Sequence, residues 1–357
     1  MGEKILSGLL LVLSFFGAYG AGKNCPSYKA GSINDANYCV IYDNSTNEYT
    51  IDPSNCGLGA NCISAELHPK SNISCTVTGP DQFISYQKFP GEKCRVDKDC
   101  GVFTTGVCKN NKCGGMAEGV AFNPTQKPAD YYCNPGLYYN GTACVKQLST
   151  GAKCNETSQC QNDAVCESNT KGQMVCQKIY SVNNGDNIYD CPSSRVSNLC
   201  EEGYCTKSGD TSTCAKADAH TDYTKECSSD NDCSSNQSSY CVCGLSGTSY
   251  CTLYQGDAPR MKAFELLKEW YYEYSQNCNT GRRNKGGCQA DFWGDDYIEY
   301  NYYATYVGNF PYVYNAPDSV VEVFRKDYYD ARNDYEDIDE NNSASSIYLS
   351  LLGFILS

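Results

Sequence analysis

Cysteine is the residue type here with the most chemical potential: 26 lie between Cys25 and Cys288, against two histidines, His68 and His220. Thiols in that number serve disulfides, a zinc scaffold, or redox and nucleophilic catalysis. Zinc fits poorly, because the chain has no Cys-x-x-Cys pair and few histidines to complete a tetrahedral set. Cys241 and Cys243 stand close enough for a redox pair, yet no thioredoxin-like βαβ pattern surrounds them, so structural bridging is the expectation. The sequence has no Gly-x-Ser-x-Gly elbow, no His-Glu-x-x-His and no phosphate-cradling glycine loop. His68, in Glu66-Leu67-His68-Pro69, and His220, in Ala219-His220-Thr221, read as surface loop residues rather than general bases. The expectation is a protein that is not an enzyme and takes no metal or cofactor.

Spacing organises the cysteines further. Cys-x5-Cys recurs at Cys56/Cys62, Cys94/Cys100, Cys154/Cys160 and Cys227/Cys233, and three of these follow a lysine, in Gly91-Glu92-Lys93-Cys94, Gly151-Ala152-Lys153-Cys154 and Lys225-Glu226-Cys227. More cysteines follow each pair: Cys108 and Cys113; Cys166 and Cys176; Cys241, Cys243 and Cys251. Such recurrence predicts a string of small disulfide modules, each too poor in apolar residues to stand without cross-links. Cys108-Lys109-Asn110-Asn111-Lys112-Cys113 predicts a tight hairpin, its Asn-Asn centre tolerating positive φ. Whether its two cysteines pair with each other is open.

The run from Gly91 to Cys100, with Asp99 before the second cysteine and Cys108 and Cys113 after it, resembles the opening of Dickkopf-type and nematode EB-type cysteine-rich modules. Asp232-Cys233 keeps that pattern and Gln159-Cys160 departs from it. Cys241-Val242-Cys243 followed by Cys251 is similar to the final half of an EGF-like module. The whole architecture resembles the cysteine-rich, lipid-anchored surface proteins and antigens of unicellular eukaryotes such as ciliates, and that resemblance implies a role at the cell surface.

Two apolar stretches outside the cysteine region read as processing signals. Residues 1–20 carry Lys4, an apolar run from Ile5 to Phe16 and small residues after it, the order of a secretory signal. Ile347 to Ser357 follow small polar residues, and as a helix they would rise about 16 Å, half a hydrocarbon core. They read as a glycosylphosphatidylinositol (GPI) signal, with lipid attached at Asn342 or Ser343. Secretion favours disulfides, and it makes the sequons at Asn44, Asn72, Asn140, Asn155 and Asn236 candidates for N-glycosylation. A net charge of −14 and a pI near 4.6 exclude nucleic acid as a natural partner.

Past Cys251 the texture changes. Met261, Phe264, Leu267, Tyr271 and Tyr274 step by three and four after Asp257-Ala258-Pro259, predicting a helix that ends near Asn277. Residues 297–307, dense in tyrosine, predict a strand with Tyr300, Tyr302 and Tyr306 on one side and Tyr303 and Val307 on the other. Val320, Phe324, Tyr328, Ala331 and Tyr335 predict a second helix. Between Cys278 and Cys288, Arg282, Arg283 and Lys285 form a compact basic loop suited to an anionic partner, and Tyr300, Tyr302 and Tyr306 suit a recognition surface. The acidic run from Asp330 to Glu340 reads as a solvated stalk.

The predicted organisation is a signal peptide (1–20), cysteine-rich modules over 21–115, 116–180 and 181–252, a Tyr-rich α+β domain (253–336) and an acidic stalk with the GPI signal (337–357). The expected fold class is small disulfide-rich modules in tandem, loop-rich with short β-hairpins, followed by that domain. The expected function is a glycosylated cell-surface protein acting as coat, antigen or adhesion component, joined to the membrane through a lipid anchor and meeting other surface proteins or anionic glycans. The alternative is a soluble secreted ligand, antagonist or protease inhibitor.

Overall fold

The computed structural model describes residues 25–57, 60–62, 64, 66–77, 88–125, 128–233 and 239–338. The secretory signal, Asn236, Asn342, Ser343 and the segment after them lie outside the described residues. Strands are short, and the helices include α1 (Ala258–Glu269), α2 (Gly286–Trp293), α3 (Asp295–Asn309) and α4 (Asp318–Phe324), with a further helical stretch over 326–338 after a break at Arg325. No helix among the described residues is long and apolar enough to cross a membrane. The chain divides into two compact units, both discontinuous in sequence. One gathers Met1–Thr78, His220–Tyr254 and Gly308–Tyr329, and the other Gly79–Ala219, Gln255–Val307 and Asp330–Ser357.

The first unit is built on β1 (Ser27–Ala30), β2 (Tyr38–Asp43) and β3 (Glu48–Ile51). β3 lies between a parallel β1 and an antiparallel β2, and Ile73–Ser74 adds a fourth strand beyond β2. Alternation along β3 sends Tyr49 and Ile51 to a buried face, where Val40 joins them and α4 supplies Val320, Val323 and Phe324. Helix on sheet is the smallest way to bury both apolar faces. A cysteine hairpin, Cys241–Cys243 against Ser249–Cys251, completes the unit, and the Cys25–Cys243 bridge ties it to the start of β1.

The second unit holds four repeats in tandem, each drawn by the same backbone hydrogen bonds. A leading residue pairs in parallel fashion with a cysteine: Lys88 with Cys100, Met116 with Cys133, Leu148 with Cys160 and Val182 with Cys200. Three residues on, a glycine donates its N–H to the carbonyl of the last cysteine: Gly91 to Cys113, Gly119 to Cys144, Gly151 to Cys176 and Gly185 to Cys214. All four glycines have φ between +76° and +94°. Only a residue without Cβ enters that conformation at no steric cost, which is why the sequence repeats glycine there. An antiparallel hairpin closes each repeat. In the first, Asn110 and Asn111 both have positive φ, as the hairpin reading expects.

All 26 cysteines are paired, and none is free. Cys108 and Cys113 face one another across their hairpin without bonding each other; they bond Cys94 and Cys100. This interleaved first-to-third, second-to-fourth connection recurs in Cys154–Cys166 with Cys160–Cys176, in Cys191–Cys205 with Cys200–Cys214, and in Cys227–Cys241 with Cys233–Cys251. Cys39–Cys62 with Cys56–Cys75 interleave likewise, so Cys56 and Cys62 are the middle pair of their quartet and not its opening. Apart from Cys25–Cys243, each bridge closes a loop of 10 to 23 positions and restricts the unfolded chain by roughly 3 kcal/mol in the chain-entropy model. That supplies what the small apolar clusters of each module lack.

The segment expected as a strand is α3. Tyr297, Tyr300 and Tyr303 recur every three residues and pack on a core of Trp270, Tyr271 and Trp293. Asp295 and Asp296 open the helix, where carboxylates oppose the positive end of its dipole. Aromatic content suggests a strand, but burial against a neighbouring helix decides the period. As expected, α1 begins after Asp257 with Pro259 in its first turn, and its helical path continues through 270–277. No strand lies between 258 and 338 among the described residues.

Candidate functional site

Two side-chain acceptors cap the backbone in three of the cysteine quartets. In the first repeat Asp99 accepts the N–H groups of Arg95 and Val96, and Asp97 accepts that of Cys108. In the last module Asp232 accepts from Ser228 and Ser229, and Asp230 from Cys241. Gln159 substitutes with one bond, from Asn155, and Thr157 accepts from Cys166. The carboxylate before the second cysteine is therefore a local backbone cap. Those donors hold the Asp99 and Asp232 carboxyls below the usual range.

The basic loop between Cys278 and Cys288, which do bond each other, is placed differently from the expectation. It is a clasp facing inward rather than a hairpin tip facing a partner. Arg283 is only 5 % exposed, donates to the Gln161 carbonyl, and is pushed down from its ordinary pKa by burial. Arg282 lies over the Phe89 ring at 4.1 Å and pairs with Glu92 at 3.4 Å. Burial raises the Glu92 pKa, opposed by the Phe89 N–H and by Arg282. Lys285 alone of the three is exposed.

Neighbouring residues extend the clasp. Asn279 donates to the carbonyls of Asp130 and Cys133, and Thr280 to that of Ser158. In return Asn162 donates to the carbonyls of Ser275 and Cys278. Gly281 is required, because a Cβ there would sit 2.2 Å from the Tyr131 ring. Three successive repeats are thus fastened to one disulfide loop. Neither Asn162 nor Asn279 is marked by any sequence pattern, since each acts on carbonyls more than a hundred positions away.

The tyrosines expected on one side divide on the helix. Tyr300 belongs to the core-facing row with Trp293, ring centroids 5.1 Å apart, while Tyr302 and Tyr306 occupy another row. Tyr335 stacks on Tyr302 at 4.6 Å with the planes 2° apart. A step of two residues turns a helix by about 200°, so Tyr300 and Tyr302 cannot share a face as they would in a strand.

Neither histidine is a free surface residue. His68 Nδ1 is hydrogen-bonded to the Tyr28 hydroxyl, and its Nε2 lies 3.3 Å from the Cys243 carbonyl. Burial pushes its pKa down, with Arg325 and Lys70 adding to the effect. His220 stacks on Tyr254 and lines a cavity of about 490 Å³ with Asp222, Tyr223, Glu226 and Asp232. Asn44, Asn72, Asn140 and Asn155 are all exposed. Asn72 and Asn140 use only their side-chain oxygens as acceptors, from Tyr42 and from Thr142 and Ala143.

Comparison with protein-family models, with curated proteins and with solved structures finds no match to this chain. Its bridges are those of a protein that lives in an oxidising space, secreted or at a cell surface.

Proposed function

We propose that the protein is a GPI-anchored, glycosylated component of a cell surface, acting as coat, antigen or adhesion protein and not as an enzyme. The complete pairing of 26 cysteines in interleaved quartets carries this reading. Cross-links in every module resist opening and proteolysis outside the cell, and surface loops held between cross-links tolerate change without disturbing the frame. The four exposed sequons and the small-residue segment around Asn342 and Ser343, followed by the apolar run from Ile347, support glycosylation and lipid attachment. The resemblance to lipid-anchored cysteine-rich antigens of unicellular eukaryotes points the same way.

The test is treatment of intact expressing cells with phosphatidylinositol-specific phospholipase C, then mass spectrometry of the released C-terminal peptide. Release of a peptide ending at Asn342 or Ser343 with a lipid remnant is expected. Secreted material still carrying Ile347 to Ser357 would overturn the anchor and favour a soluble ligand or inhibitor.

A further inference from the structure

The first repeat of the second unit is charged against the rest of the molecule. Residues 88–113 hold six cations (Lys88, Lys93, Arg95, Lys98, Lys109, Lys112) and three carboxylates (Glu92, Asp97, Asp99), leaving 22 basic against 39 acidic residues elsewhere. Only one of the three carboxylates, Glu92, is withdrawn from its surface, so five exposed cations stand there against Asp97 and Asp99. Glu92 is 2 % exposed beneath Arg282, and Asp97 and Asp99 serve as backbone caps. Lys88 pairs with Asp291, whereas Lys93, Arg95, Lys98, Lys109 and Lys112 are all exposed.

Their placement is not what a hairpin needs. Lys109 stands opposite Lys112 across the strand pair, and Lys93 pairs with Lys112 on its other side. Like charges directly opposite each other destabilise a sheet. Where Lys109 faces Lys112, the corresponding pair next to the cysteines is Glu167 and Val175, Thr206 and Thr213, or Val242 and Tyr250 in the other modules. The scaffold therefore does not require lysines there. The Lys93 and Lys112 ammonium groups both lie over the Phe292 ring, at 5.5 and 4.8 Å, which fixes them on one surface.

We propose that this module is a binding surface for a polyanion, a sulfated polysaccharide of the extracellular space. Clustered ammonium and guanidinium groups bind such a chain by releasing its condensed counterions, as they would on a nucleic-acid backbone. The secreted placement selects the polysaccharide from the available polyanions, and the acidic remainder of the molecule repels the chain elsewhere. The proposal relocates the anionic-partner surface from Arg282 and Arg283, which are turned inward, to the outer face of the repeat they brace.

Heparin is the probe, applied as an affinity column to the intact secreted chain. The wild type is retained at physiological salt, and the triple variant Arg95→Ser, Lys98→Ser, Lys109→Ser, which touches no cap or bridge, binds at least tenfold more weakly. The slope of log affinity against log salt flattens by about one per cation removed. A variant with Lys98→Arg and Lys109→Arg retains binding, which separates lost charge from lost fold. Flow-through of the wild type, or an unchanged triple variant, overturns the proposal; so does stronger binding to phosphatidylserine vesicles than to heparin, which would assign the surface to a membrane. Since the proposal rests only on extracellular exposure, its failure would leave the lipid-release result untouched.

Discussion

The repeats over 116–144 and 148–176 have the same backbone plan and differ by one disulfide. Each has the leading parallel bridge, the positive-φ glycine and a short 3-10 turn before its second-bridge cysteine. In each, a side-chain oxygen accepts an N–H from the hairpin: Thr157 from Cys166, Asp130 from Tyr139. Cys166 faces Cys176 and bonds Cys154. At the matching place Tyr139 faces Cys144, and its ring packs on Phe122 at 5.0 Å, with Tyr132 beyond at 5.6 Å from Phe122. An aromatic cluster thus does for the third-cysteine position what a bridge does next door. The two are not equivalent, because a bridge acts by restricting the unfolded chain while the ring acts by burying area in the folded one.

Breaking bridges tests this most severely. Cys133→Ser with Cys144→Ser removes the only bridge of its repeat, whose cysteines are 11 residues apart, and costs about 3 kcal/mol. Limited proteolysis then cuts within 116–147. Cys154→Ser with Cys166→Ser costs a similar amount, but Cys160–Cys176 remains and 148–178 stays protected. Equal protection of both variants would show that the aromatic cluster holds its repeat unaided.

A smaller effect separates the ring from its hydroxyl. Tyr139→Ala removes the packing on Phe122 and destabilises by about 2 kcal/mol, since the ring is only partly buried. Tyr139→Phe loses the hydroxyl that donates to the Gly141 carbonyl at 2.9 Å, with the Phe122 carbonyl at 3.4 Å, and costs under about 1 kcal/mol in denaturant unfolding. A Phe variant as damaging as Ala would make the hydroxyl, not the ring, the substitute for the bridge.

Smallest is the response to acid. The lowered Asp99 and Asp232 carboxyls contribute caps that are fully present above the ordinary carboxylate value and are lost as pH falls through their depressed folded values. Amide exchange at Arg95, Val96, Ser228 and Ser229 therefore accelerates on acidification below that range, beyond the intrinsic trend. Asn155, capped by the amide of Gln159, shows no such step. A step at Asn155 as well would mean that the caps are not what acid releases.

Much of the frame was legible. Recurrent Cys-x5-Cys after a lysine marked three modules, two of them with glycine two positions before that lysine, because the turn and the cap lie within ten residues of one another. The repeat around Cys191, Cys200, Cys205 and Cys214 escaped because eight residues separate its first two cysteines. The repeat over 116–144 escaped because Tyr139 stands at its third cysteine's place. α3 was misread because tyrosine is compatible with either period until a partner surface is known.

By itself the sequence determined that this is a cross-linked extracellular-type chain of small modules with helices after Cys251, since composition and local spacing suffice for that. Only the tertiary structure decided which cysteines bond, that 278–288 turns inward to fasten the repeats, and that Lys93 and Lys112 share one surface over Phe292. Those outcomes depend on groups up to two hundred positions apart, and no local pattern encodes which distant carbonyl, ring or thiol a side chain will meet.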